Sequence, residues 1–163
     1  MLKHTLLRKK SKSERSKIIF ELDKIVRQIL LLRDKVCLYS GRTNNLQVSH
    51  YISRSNLHLR HNLDNVHLFN GGIHLFLFHK RPHIYREWLI KKIGLDKVEW
   101  LEMQDRIYCK PIYTADLKLL KQDLLSKLEY YKHKEGIGTF TYFSIKNYLD
   151  SILPLTNKIY SVN

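Results

Sequence analysis

Cysteine is scarce in this 163-residue chain, with only Cys37 and Cys109. That excludes a dense disulfide framework and favours a reducing, intracellular setting. Long apolar runs are missing too. No stretch reaches the roughly 20 apolar residues needed to span a bilayer. The basic segment Met1 to Lys17 lacks the apolar centre of a secretory signal. A membrane protein or an exported one is not expected; a cytoplasmic one is. Internal repeats and low-complexity tracts are also absent. Acidic residues fall short as well, 15 against 29 Lys and Arg, which leaves a formal charge of +14.

So large an excess of one sign on a small chain points to a polyanionic partner. Nucleic acid comes first, with DNA ahead of RNA, and an anionic membrane surface second. The bland alternative is a basic protein kept soluble by its charge. A hydrophobic fraction of 44% is enough for a real core and argues against global disorder.

Along the chain, residues 1–12 carry Lys3, Arg8, Lys9, Lys10 and Lys12 and read as a basic arm able to lie along phosphates. Residues 13–134 read as the main domain and 135–163 as a C-terminal extension. Ser11 and Glu14 have capping-box spacing, and Ile18, Leu22, Ile25, Ile29 and Leu32 recur at helical spacing up to Asp34. Val36 to Tyr39 reads as a short extended piece. Leu46 to Tyr51 and Asn65 to Phe69 read as strands. Gly71-Gly72 makes a turn, and Ile73 to Lys80 a short helix that stops before Pro82. Ile84, Trp88 and Ile93 mark a helix closed by Gly94. Asp96 with Glu99 boxes the start of the next. Leu117, Leu120, Leu124 and Leu128 mark a helix over 115–134, and a short one is expected before Pro154. The class is α+β, mainly helical.

Seven of the nine histidines lie between His50 and His83, where even scatter would put about two. Histidine is both a neutral-pH general base and a metal ligand. Clustered among Arg and Lys, it suits phosphodiester chemistry: a base for water, a metal for the phosphate, cations for the developing charge. If the two strands pair antiparallel, His50 and Asn65 become cross-strand neighbours. Asn65 could then hold the adjoining loop or the imidazole. The Gly71-Gly72 turn would swing His74 towards His50. His79 lies about 140° from His74 on an ideal α-helix, so both can serve one metal only if the helix bends or ends there. His58 and His61 sit in a loop and could contact phosphate. The bland readings are a satisfied core histidine for His50, a turn residue for Asn65 and a surface residue for His74.

The run Gln47-Val48-Ser49-His50-Tyr51-Ile52-Ser53-Arg54, then Arg60 and Asn62-Leu63-Asp64-Asn65-Val66-His67, resembles the NinG/Rap phage recombination proteins of the HNH, or ββα-metal, nuclease superfamily. The flanks Leu22 to Ile25, Arg33-Asp34 and Tyr113 to Leu117 agree. The resemblance covers roughly residues 17–132 and makes 13–134 an HNH-like nuclease domain with flanking helices. It implies a DNA endonuclease acting on branched or single-strand-containing DNA, alongside recombination or replication proteins. His50 would be the general base and Asn65 the residue that orients its segment. One divalent cation, Mg²⁺ or Mn²⁺, would be held by His74 and His79, with Ser49 at a position where many relatives carry a ligand. Arg54, Arg60, His58, Lys9 and Lys10 would contact DNA.

The chain departs from the family in its zinc knuckles. Of four cysteines only Cys37 remains, with Ser40, Asn70 and Ile73 at the other positions. No structural zinc is expected, and packing by Phe69 and Ile73 takes its place. The residues after His74 also carry a one-residue insertion ahead of His79. The alternative implied by these losses is a DNA-binding recombination accessory protein whose nuclease centre has decayed.

Overall fold

The computed structural model describes residues 13–107 and 111–136, so the basic arm with Lys9 and Lys10, Cys109 and the segment after 136 lie outside the described residues. The order is α1 (Glu14–Asp34), β1 (Leu46–His50), β2 (Val66–Asn70), a π-helix (Ile73–Phe78), α2 (Pro82–Ile93), α3 (Leu95–Arg106) and α4 (Thr114–Lys134). The expected class, mainly helical α+β, is what the chain adopts. None of the described helices is long and apolar enough to cross a membrane.

The apolar stripe of α1 buries Ile18, Leu22, Ile25, Val26, Ile29 and Leu30. It lies beside α4, whose Leu117, Leu124 and Leu128 fill the same cluster. The two helices run parallel, as Glu14–Lys118 (2.8 Å), Glu21–Lys121 (2.7 Å) and Lys35–Glu135 (2.5 Å) mark in turn from start to end. Everything else is inserted between them in sequence. The hairpin packs one face on this pair through Leu46, Val48, Val66 and Leu68. Its other face meets a second cluster: Phe69, Phe78, Tyr85, Leu89, Val98 and Leu101, with Cys37 and Leu59. Phe69 and Ile73 both belong to that second cluster, as expected.

β1 and β2 are antiparallel, with Leu46 opposite Asn70 and His50 opposite Val66. All five residues of β2 are buried. Its outer edge has no third strand, yet its polar groups are met. Arg33 donates to the Val66 carbonyl (2.9 Å), Asp34 accepts from the Leu68 amide (3.0 Å), and the Leu38 amide donates to the Leu68 carbonyl (3.0 Å). Arg33 and Asp34 also bond each other through Nε (2.6 Å) and an Nη (3.0 Å). The end of α1 thus does for β2 what a neighbouring strand would do.

Several local expectations need correcting. The cap of α1 is Ser13, whose hydroxyl accepts from the Ser16 amide at 3.2 Å; Ser11 lies outside the described residues. Val36 to Tyr39 is not extended but enters a turn, closed by Cys37 N–H to Arg42 O (2.8 Å) and Gly41 N–H to Cys37 O (2.8 Å). The strands are offset by one at their shared end. His50 faces Val66, and it is Tyr51 whose amide donates to the Asn65 carbonyl (2.9 Å). Asp96 and Glu99 do not box α3, which starts from Gly94 at φ 92° with no side-chain cap. The helix of 73–80 is a π-helix over Ile73–Phe78, followed by a turn. α4 begins one residue early, at Thr114, where the Tyr113 amide donates to Asp116 (2.7 Å). The helix expected before Pro154 lies outside the described residues.

Two predictions follow from β2 and its surroundings. Asp34→Ala leaves the Leu68 amide and Arg33 without their partner, and is expected to cost about 3 kcal/mol in a urea melt. His67, fully buried on β2 among Phe69, Tyr85 and Trp88, is pushed by burial down to about 3. The folded chain therefore holds this ring neutral where the unfolded chain takes a proton. Stability is full above the unfolded value of about 6.5 and drains as pH falls towards 3. Between pH 6.5 and 4 the loss through this ring is expected to be on the order of 3 kcal/mol. His67→Phe should flatten that slope in urea melts across the range. An unchanged slope would remove His67 as its source.

Candidate functional site

The segment 51–65 links the strands and is tied down by Asn65. This side chain is fully buried, and it bonds three backbone groups of the segment. Its Oδ1 accepts from the Ile52 amide (2.7 Å), while Nδ2 donates to the carbonyls of Ile52 (3.1 Å) and Leu59 (2.9 Å). Of the two roles open to it from sequence, Asn65 takes the first: it holds the loop, and the imidazole is held elsewhere.

His50 is half-buried, and its Nε2 lies 3.0 Å from the carbonyl oxygen of Arg60. A carbonyl only accepts, so Nε2 carries the proton and Nδ1 keeps the lone pair. Burial pushes the imidazole down to about 4, against the opposing pull of this hydrogen bond. The ring is neutral, with one tautomer fixed.

The Arg60 carbonyl is itself anchored. The Arg60 guanidinium grips Asp23 of α1 through Nε (2.9 Å) and an Nη (2.6 Å), and the His61 Nε2 meets the same carboxylate at 3.0 Å. Burial alone would raise the Asp23 carboxyl, but the bonds from His61 and Arg60 hold it well below the usual carboxylate range. Arg60, read from sequence as a DNA contact, is thus engaged inside the protein. Arg54 also reaches Asp23, at 3.3 Å, but stays 63% exposed and is the freer cation. His58 is exposed on the same loop.

The second histidine group lies on the π-helix. The His79 amide bonds the His74 carbonyl at 3.2 Å, the i to i+5 bond of this helix type. The wider turn brings the two rings together, with Nε2 to Nε2 at 3.0 Å. On an α-helix they would diverge. Gln47 of β1 sets the tautomer: its Oε1 accepts from His74 Nδ1 at 3.0 Å, so the neutral ring turns the Nε2 lone pair towards His79. Burial, then the neighbouring His79, lowers the His74 value. Two imidazole nitrogens at this spacing, one anchored from behind, fit a divalent cation bound at about 2.0–2.1 Å from each. Phosphate and water oxygens would complete the shell. Among the described residues no three His, Cys, Asp or Glu side chains converge, so the pair stands without a third protein ligand of those types.

Ser49 does not join it. It is fully buried opposite His67 on the face covered by Tyr85, and its hydroxyl has no hydrogen-bond partner. Nor does His74 reach His50 as expected. Its partner Gln47 is three residues from His50, on the opposite face of β1 and about 10 Å along the strand. The cause is topological. The π-helix starts where β2 ends, beside the start of β1, whereas His50 closes β1 at the other end of the hairpin.

The expected zinc-knuckle positions also gather. Cys37 Sγ is 3.4 Å from the Ser40 amide, and Asn70 bonds the Asn44 carbonyl (2.8 Å) and the Gly72 amide (3.0 Å). Burial would raise the Cys37 thiol, but Ser40 and the amides of Asn70 and Tyr39 bring it below its ordinary value.

Sequence reasoning missed Gln47, Asp23 and Gly71. A Cβ on Gly71 would stand 2.6 Å from Asn45 Nδ2 and 2.9 Å from Gln47 Nε2, so glycine is what lets the Gln47 carboxamide sit where it does. The Gly71-Gly72 pair was the signal for this, read only as a turn.

The NinG family, described as Bacteriophage Lambda NinG protein, matches residues 3–134, and the chain belongs to it. No curated protein and no solved structure matches.

Gln47→Ala and Gly71→Ala are expected to weaken Mn²⁺ binding by roughly ten- to a hundredfold in calorimetry of the full chain, with His74→Ala as the reference for loss. Affinity untouched by Gln47→Ala would refute the anchoring role.

Proposed function

With membership of this phage recombination-related family as the premise, we propose that the chain is a metal-dependent DNA phosphodiesterase of the HNH, or ββα-metal, type, acting on branched or single-strand-containing DNA. The observation that carries this reading is His50: a neutral imidazole with its Nε2 proton committed to a backbone carbonyl and its Nδ1 lone pair left for a proton. That is the state a general base needs before reaction. Nδ1 takes a proton from water, the oxygen attacks phosphorus, and the bond to the leaving oxygen breaks as that oxygen is protonated from solvent. Arg54 faces the phosphate as its cation. Asn65, Arg60 and Asp23 hold the loop and carbonyl that fix His50. A divalent cation on His74 and His79 supplies charge neutralisation at the phosphate and the leaving oxygen. Imidazole ligands favour Mn²⁺ over Mg²⁺ here. The formal charge of +14 supplies the general attraction to DNA, with Lys9, Lys10 and His58 as further contacts.

A specific observation favours a second reading, a DNA-binding accessory protein with a silent centre. His50 and the His74–His79 pair occupy opposite faces of β1, and Ser49 is turned into the core.

One assay separates the two. Full-length protein is incubated with branched and linear DNA in Mn²⁺, Mg²⁺ or EDTA. On the first reading cleavage requires the metal, His50→Ala lowers the rate by roughly 10²- to 10⁴-fold without weakening DNA binding, and the rate stays flat from pH 8 to about 5 because His50 takes its proton only near pH 4. Salt-sensitive binding with no cleavage in any metal establishes the second reading instead.

A further inference from the structure

The π-helix exposes two apolar residues in succession: Leu75 is 48% exposed and Phe76 67%. Phe78, two residues on, is buried between Phe69 and Tyr85. The core has thus taken one aromatic of this element and left the other in water. Phenylalanine has no polar tip to offset such exposure, so a large exposed ring needs a reason.

Its surroundings supply one. Lys80 holds its ammonium over the Phe76 ring, 5.3 Å from the centroid. Lys80 and Arg81 are both exposed, and neither makes an ion pair with a described acid. Phe76 also sits between His74 and His79 in sequence, on the same short helix. An apolar ring face edged by unpaired cations matches the two halves of a nucleotide, a flat base and an anionic phosphate. A lipid or an apolar peptide would use the ring and have no need of the cations.

We propose that Phe76, flanked by Leu75 and edged by Lys80 and Arg81, is a stacking platform for an unpaired nucleobase of DNA, seated next to the His74–His79 pair. Bases in a duplex have both faces covered by their neighbours, so the platform selects single-stranded segments and the open bases of a branch. This inference rests on the proposed DNA function and deepens it: it names the feature that recognises unpaired bases, and places it on the metal-holding element.

The test is made in EDTA, so it reads binding without cleavage. Full-length protein is titrated into single-stranded DNA carrying 2-aminopurine and into a duplex of equal length. Phe76→Ala is expected to weaken single-strand binding by about tenfold, leave duplex affinity within about twofold, and abolish the change in 2-aminopurine fluorescence. Phe76→Trp should restore both signals. The ring is exposed, so neither variant threatens the core; circular dichroism checks this. Unchanged single-strand affinity in Phe76→Ala overturns the platform, even if wild-type protein cleaves DNA. Equal losses on both DNAs overturn it too. Wild-type protein that binds no DNA overturns the platform and the proposed function together.

Discussion

The structure depends on how the outer edge of β2 is closed. A two-stranded hairpin is marginal in water, and β2 is buried along its whole length, so its unpaired edge groups cannot fall back on solvent. Adjacent residues at the end of α1 meet them, Arg33 as donor and Asp34 as acceptor, while each satisfies the other. Leu38, in the turn that follows, adds a third bond. Because this closure uses a helix end and not a third strand, both faces of the hairpin are left to pack. α1 and α4 take one, and the π-helix, α2 and α3 take the other.

A strand buried between two layers sends alternate side chains to different surroundings, and the histidines are divided accordingly. On the α1 side, Asp23 fixes Arg60 and the Arg60 carbonyl fixes His50. On the other side, Gln47 fixes His74, and His74 meets His79. Each chain of contacts ends in an imidazole with a defined tautomer, and each starts from a residue of a regular element. Both groups are therefore as rigid as the hairpin that carries them.

Where burial repeats at a regular period, the sequence was readable. The stripe of α1, the leucines of α4 and the two strands were visible to within a residue or so. What could not be read depended on the fine geometry of single side chains. The strand offset turned on Asn65, which leaves the ladder through its side chain to bind Ile52 and Leu59. Arg60 looked like a phosphate contact because nothing in its own neighbourhood announces Asp23, 37 residues earlier on another element. Gln47 carries no signal as an orienting residue until the π-helix lies beside it. The Asp96–Glu99 spacing fits a cap, yet Gly94 alone starts α3. His74 and His79 were recognised as a pair that only a departure from the α-helix could unite, and the π-helix is that departure.

The same π-helix bears on how the chain tolerates a change in its own length. In an α-helix one extra residue rotates everything beyond it by about 100°, and would carry a later side chain off its face. A π-turn takes the added residue into a wider loop of backbone, leaving what precedes and follows in phase. Phe78 still reaches the core and His79 still meets His74, although the interval between the histidines is one longer than an α-helical turn would accept. An insertion that would ordinarily erase a two-residue site is here absorbed as a local swelling of the helix. The extra residue then emerges on the outer surface, where a chain can acquire a new contact without giving up an old one.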